Sequence, residues 1–172
     1  MKKLYNNKQD QKSSSSRKGC FRLNLKTKRL VRFSMLFAWI GLTIFLSEQS
    51  GIDSARVSSK FTKIIMDILN LHISPERADS VIREVAHFGI HFVLAILAYR
   101  AFVTVLSEKM SIFVSLIICS GIALFDEFIQ WQISGRAFEY IDLTLNLLGV
   151  SLGLLTGFMI SKTLQLRKPS QE

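Results

Sequence analysis

The sequence predicts an all-α integral membrane protein, a bundle of four transmembrane helices with one short interfacial amphipathic helix. Apolar residues make up 49% of the 172 residues, yet the formal net charge is +9. A soluble domain of this size would not combine these two properties, whereas apolar spans joined by charged connections do. The apolar residues are indeed concentrated in four runs, each close to the roughly 20 residues that cross a bilayer core. Nine glycines and only two prolines also fit membrane helices better than a β-rich fold.

The predicted domain organisation follows the four apolar runs. Residues 1–29 are rich in Lys, Ser and Asn and should form a disordered basic tail. The transmembrane domain covers residues 30–160, and residues 161–172 form a second tail. Ser74 and Pro75 mark a helix start that leads into the second span. Within the domain, the predicted spans are 30–47, 86–106, 110–129 and 140–160.

The longest polar connection contains the predicted interfacial helix, at about residues 59–71. Its apolar residues recur at helical spacing, opposite Lys60, Lys63 and Asp67. The segment is too short and too charged to span a bilayer, so we expect it to lie in the membrane interface. The alternative is an ordinary amphipathic helix that packs on the other helices.

The distribution of basic residues predicts the orientation. Half of the 22 Lys and Arg residues lie within the first 32 positions, beside an apolar run. Such a run favours the cytoplasmic side and attracts anionic membrane lipid. With four spans, both termini should face the cytoplasm of a bacterial cell, and connections 48–85 and 131–139 should lie outside its cytoplasmic membrane. Nucleic-acid binding is not predicted, because no recognised nucleic-acid fold accompanies the charge.

That topology brings polar residues from three spans to the outer membrane face. Ionisable groups at membrane depth are costly, and they usually pair, face a polar cavity and serve function. We therefore predict one outward-facing polar cluster as the binding site: His87, Asp126, Glu127, Gln130, Arg136, Asp142 and Asn146. His91 lies one turn after His87 on the same helix face.

The chemistry of this cluster leaves alternatives open. Arg136 offers a fork to phosphate or carboxylate, or it forms a structural ion pair with the acids. Imidazole and carboxylate suit zinc, but the spacing matches no established zinc motif, so we predict neither a metal nor a cofactor. Asp126 and Glu127 also suit an acid/base pair. No activated serine or cysteine nucleophile is evident, so no catalytic residue is assigned and a non-enzymatic role is favoured.

Three glycines on the fourth span predict a helix-packing surface. Gly149, Gly153 and Gly157 repeat every four residues, and small residues at that spacing let a neighbouring helix approach closely. The neighbour is either another helix of the same chain or the same helix of a second copy, in a homodimer.

At these residues the sequence resembles the VanZ-like family. Residues 126–130 resemble its Asp-Glu-x-x-Gln pattern, residues 135–136 its Gly-Arg, and residues 142–149 its Asp-x-x-x-Asn-x-x-Gly. Residues 86–88 resemble its Ala-His-Phe, and residues 46–51 resemble the segment that ends its first span. The chain departs from the family at Glu84, where Lys is frequent, and at Ile90-His91, where Glu-Tyr is frequent.

The resemblance implies a role at the outer membrane face. The family takes its name from a protein associated with low-level resistance to teicoplanin, a lipoglycopeptide that acts there. By analogy, the polar cluster would engage a membrane lipid head group, a lipid-linked cell-wall precursor or the drug, and would lower sensitivity to it. No settled reaction belongs to the family. The alternatives are a membrane enzyme that modifies a lipid-linked envelope molecule, and a structural membrane scaffold.

Overall fold

The structure is a computed structural model and describes residues 24–48, 74–133 and 138–166. All regular secondary structure in these ranges is helical: α1 Leu25–Ser47, α2 Pro75–Phe102, α3 Glu108–Gln132 and α4 Tyr140–Leu166. Each helix contains a stretch that is long and apolar enough to cross a membrane. The chain is therefore a multi-pass membrane protein, and the predicted all-α, four-helix class is confirmed. The predicted interfacial helix at 59–71 lies outside the described residues.

Capping residues set where the helices begin. Asn24 precedes α1 and Ser107 precedes α3, and each side chain accepts a backbone N–H from the first turn. Because α1 begins at Leu25, the last residues of the predicted tail are helical. The helix α2 begins at Pro75, where the Ser-Pro pattern predicts a start. It ends at Phe102, before the predicted end of the second span at residue 106, because a turn there leads into α3.

The outward surfaces of the helices are largely apolar. An apolar surface of this extent would be unfavourable in water, whereas in a bilayer it is the surface that contacts lipid. Among the exposed side chains of this surface are Phe37, Phe45, Phe113, Phe125, Leu152 and Met159.

The helices α2 and α4 form the most extensive contact in the bundle, and glycines make it close. A Cβ atom on Gly149 would lie 2.5 Å from the backbone oxygen of Phe88, so no side chain fits there. Gly153 meets the backbone oxygen of Phe92 in the same way. The glycine surface thus packs on α2 of the same chain. This packing covers the surface that, in the alternative prediction, would have formed the interface of a homodimer.

Small residues also bring α3 close to its neighbours. Ser111, Ser115, Cys119 and Ala123 recur every four residues on its buried face. The helix α1 is held more loosely, although its Trp39 indole Nε1 donates a hydrogen bond to the backbone oxygen of Ile90 at 3.0 Å. The three helices α2, α3 and α4 are consecutive, and they form the part of the bundle that positions most of the buried polar side chains.

The two ends of the bundle differ in their polar residues. We use the term polar end for the end of the bundle at which α1 and α3 end and α4 begins. At the opposite end, Lys162 Nζ lies 2.9 Å from Glu108 Oε2. There, too, Arg32 Nη1 donates a hydrogen bond to the backbone oxygen of Arg100 at 3.0 Å.

Candidate binding site at the polar end of the bundle

His87 of α2 lies at the centre of the polar end. Its Nδ1 is 3.8 Å from Asp126 Oδ2 of α3, and its Nε2 is 3.6 Å from Asp142 Oδ2 of α4. Both distances exceed those of ordinary hydrogen bonds, so the contacts are electrostatic. The residue is only 8% exposed, and both acids are buried as well. One imidazole therefore links three helices at the depth of the membrane spans.

Asp126 and Glu127 are both buried at the end of α3 but face different neighbours. Adjacent residues on a helix point about 100° apart, which explains the divergence. The hydroxyl of Ser47, at the end of α1, donates a hydrogen bond to Asp126 Oδ1. The Asn146 amide, on α4, donates to Glu127 Oε1 at 3.4 Å. All four helices thus contribute to the polar end.

Arg83 joins this cluster from the rim, although it was not among the predicted site residues. Its Nε lies 3.9 Å from Asp142 Oδ2, and its Nη2 lies 3.2 Å from Glu139 Oε2. The Arg83 side chain is 41% exposed, so the guanidinium remains accessible. Arg83 precedes His87 by one helical turn and shares its face. That spacing is the sequence signal that would have identified it.

Ser47 and His91 are also part of the polar end and were not assigned to the site. Ser47 belongs to the family-like segment 46–51, but no periodicity in α1 singled it out. His91 is almost completely buried, one turn deeper than His87, and its Nδ1 lies 3.1 Å from the backbone oxygen of His87. His91 therefore adds a second imidazole next to the cluster.

The remaining predicted residues are Gln130 and Arg136. Gln130 is buried one turn beyond Asp126 on α3. Arg136 lies outside the described residues, so its assignment to the cluster stays a prediction. The contacts given above thus form two groups: His87 with Asp126 and Asp142, and Glu127 with Asn146.

The composition of the site limits what it can bind. Among the described residues, three buried carboxylates and two buried imidazoles lie beside one exposed guanidinium, that of Arg83. Buried carboxylates need compensating positive charge or hydrogen-bond donors. The interior of the site therefore suits a cationic group, whereas the Arg83 guanidinium at the rim suits a phosphate or a carboxylate.

Comparison with known proteins supports the resemblance found in the sequence. A family model described as VanZ/LLP1 matches residues 33–161. The match covers most of the chain, including every residue of the predicted cluster. No curated protein and no solved structure matches the chain.

Proposed function

This chain belongs to the VanZ/LLP1 family, and from that premise we propose a binding function for its polar end. It would bind an amphiphilic molecule of the cell envelope and so lower sensitivity to lipoglycopeptide antibiotics such as teicoplanin. The ligand would be a lipid head group, a lipid-linked cell-wall precursor or the drug itself. The observation that carries the proposal is the buried His87 ring between Asp126 and Asp142.

The burial of this cluster favours binding over a purely structural role. Ionisable side chains within a membrane span are expensive, and a bundle held by apolar and glycine contacts has no need of them. The acids here converge from separate helices on one imidazole. Such convergence is typical of a site whose geometry serves a ligand.

The rim of the site suggests how a ligand would enter. Arg83 is paired with Glu139 in an exposed ion pair, and such pairs contribute only about 0–1 kcal/mol. A phosphate or carboxylate of the ligand can therefore replace Glu139 on the guanidinium at little cost. Asp142, held between Arg83 and His87, would then accept a hydrogen bond from an amine or hydroxyl of the same molecule.

The proposal requires the polar end to lie at the outer membrane face, and cysteine labelling tests this. We expect Gly135→Cys, in a chain whose Cys20 and Cys119 are replaced by serine, to react with an impermeant maleimide in intact cells. Ser170→Cys, in the C-terminal tail, is the matched control and should react only after permeabilisation. The reverse labelling pattern would contradict an outer binding site.

The function itself is tested by teicoplanin susceptibility in a sensitive Gram-positive host. At matched membrane levels, the wild-type chain should raise the minimum inhibitory concentration severalfold. Asp142→Asn should return it to the level of the empty vector, because the carboxylate between Arg83 and His87 is lost. Glu108→Gln, at the opposite end, should protect like the wild type. A protective Asp142→Asn variant, or an inactive wild type, would contradict the proposal.

The second candidate function is an enzyme that modifies a lipid-linked envelope molecule. It is favoured by the same His87 ring, since an imidazole between two carboxylates is suited to proton transfer. Incubation of purified protein with labelled polyprenyl-phosphate sugars separates the two functions. Turnover that is lost in Asp126→Asn would support the enzyme, and binding without turnover would support the first proposal.

A further inference from the structure

We propose that the polar end holds a divalent metal ion, Zn²⁺ or Mn²⁺, between His87, Asp126 and Glu127. Each residue offers one ligand atom, and these three atoms lie within 4.8 Å of one another. Zinc binds its ligands at about 2.0–2.2 Å in tetrahedral geometry, which places ligand atoms about 3.3–3.6 Å from one another. From separations of up to 4.8 Å, side-chain movements of about an ångström would therefore bring the three atoms to one ion. The inference does not depend on the proposed binding of an envelope molecule.

The surroundings of His87 match those of a metal-bound histidine. A ligating imidazole usually directs its second ring nitrogen to a carboxylate, which fixes the ring and raises its basicity. Here Nδ1 lies on the Asp126 side, and Nε2 lies on the side of Asp142. Asp142 is oriented in turn by Arg83. Nδ1 would thus bind the ion, and Nε2–H would face Asp142.

Asn146 provides an independent observation that points to a ligand. The residue is fully buried, and its Nδ2 donates to Glu127 Oε1. Its Oδ1 has no hydrogen-bond partner among the described residues. A buried acceptor without a partner is unfavourable, because it has lost its hydrogen bonds to water. An ion bound to Glu127 would lie beside this amide and offer its oxygen a partner, since amide oxygens are suitable ligands for hard cations.

His91 provides a second observation of the same kind. Its Nδ1 contacts the His87 backbone oxygen, which can only accept a hydrogen, so Nδ1 carries the proton. Its Nε2 has no partner in the described part of the chain, and a buried ring with no acceptor at this nitrogen is neutral, which leaves a lone pair on Nε2. A neutral imidazole with a free nitrogen is the form that binds metals. His91 is not among the residues whose ligand atoms lie together, so this nitrogen lies one turn below the proposed ion and outside its first set of ligands.

A metal site was not predicted from the sequence, and the reason is physical. Zinc motifs are recognised in a sequence when their ligands lie close together along one segment. Here the imidazole comes from α2 and the carboxylates come from α3, so their proximity depends on helix packing. Mixed nitrogen and oxygen ligands suit Zn²⁺ and Mn²⁺, whereas thiolate-rich sites suit softer ions.

Metal binding by the full-length protein, purified in detergent and stripped with EDTA, tests the inference. Calorimetric titration with Zn²⁺ and with Mn²⁺ should show about one ion per chain for at least one metal. His87→Gln and Glu127→Gln should weaken its binding at least tenfold, while Glu108→Gln should bind like the wild type. For Mn²⁺, electron paramagnetic resonance should show coupling to a histidine nitrogen that is absent from His87→Gln.

If His87→Gln or Glu127→Gln folds poorly, a third variant, Asn146→Asp, still tests the metal site. This variant adds a carboxylate next to Glu127, so its melting temperature should fall without metal and be restored by the bound ion. A wild-type chain that binds neither metal would overturn the inference. So would binding that is unchanged in His87→Gln and Glu127→Gln, because the ion would then lie elsewhere. Neither readout involves teicoplanin, so the outcome is separate from that of the susceptibility test.

Discussion

The two ends of the bundle use charged residues in opposite ways. At the opposite end, Lys162 and Glu108 approach to 2.9 Å, but their side chains are 45% and 35% exposed. At the polar end, His87 lies 3.6 and 3.8 Å from its acidic neighbours, yet all three side chains are at most 10% exposed. Exposed pairs contribute little even when they are short, whereas buried charges cannot remain without compensation. Burial, rather than distance, therefore distinguishes the His87 cluster at the polar end from the ion pair at the opposite end.

The largest expected effect comes from breaking the packing that positions the polar end. In Gly149→Ala the new Cβ would meet the backbone oxygen of Phe88, so α2 and α4 must move apart. Overpacking against a backbone atom should cost about 3 kcal/mol. Because Phe88 follows His87 directly, the imidazole should also move away from Asp142. A thermal melt in detergent should show a clear decrease in the melting temperature.

Gly121→Ala is the matched control for this substitution. Apart from its chain neighbours and the backbone of its own helix, no atom lies within 4 Å of the position that its Cβ would take. Alanine in a helix is favoured over glycine by about 0.5–1 kcal/mol, so the melting temperature should stay unchanged or increase slightly. If both variants melted alike, close packing of α2 on α4 would not be what supports the polar end.

A pair of double-mutant cycles would sharpen the comparison of the two ends. Combining His87→Ala with Asp142→Ala should give a coupling energy of about 1–3 kcal/mol, since both side chains are buried. Combining Glu108→Ala with Lys162→Ala should give less than about 1 kcal/mol, since that pair is exposed. Unfolding in detergent measures both. Equal coupling energies at the two ends would refute the distinction drawn from burial.

The smallest expected effect concerns α1, which links the two ends along one side of the bundle. Trp39→Phe removes the hydrogen bond to the Ile90 backbone oxygen and should cost about 1 kcal/mol. Trp131→Phe is the control, because the Trp131 side chain is 60% exposed and should change stability by less than about 0.5 kcal/mol. A Trp131→Phe variant as destabilised as Trp39→Phe would show that this hydrogen bond does not hold α1 in place.

Much of the fold was predictable because membrane spans are recognisable from their composition. Four apolar runs of sufficient length predict four helices whatever their packing. The partner of the glycine surface was not predictable, since periodicity identifies a face of a helix but not the neighbour that covers it. The end of α2 at Phe102 was missed as well, because an apolar run can continue into a turn without changing composition.

The site was predictable in part for a related reason. Antiparallel spans place the end of α3 beside the start of α4, so Asp126 and Asp142 are expected at the same end from topology alone. Which oxygen faces which nitrogen depends on the rotation of each helix about its axis. The pairing of Asn146 with Glu127 was therefore not predictable. Arg83 was overlooked for another reason, since its spacing of one turn from His87 is a signal present in the sequence.

The loose attachment of α1 has a consequence for how the protein is made. Among the described residues, α1 contacts α2 and α3 but not α4. Of the four described helices it is synthesised first, whereas the helices on which it packs enter the bilayer after it. It therefore reaches its final position only when α2 and α3 are in place. Until then Asp126 lacks the hydrogen bond from the Ser47 hydroxyl.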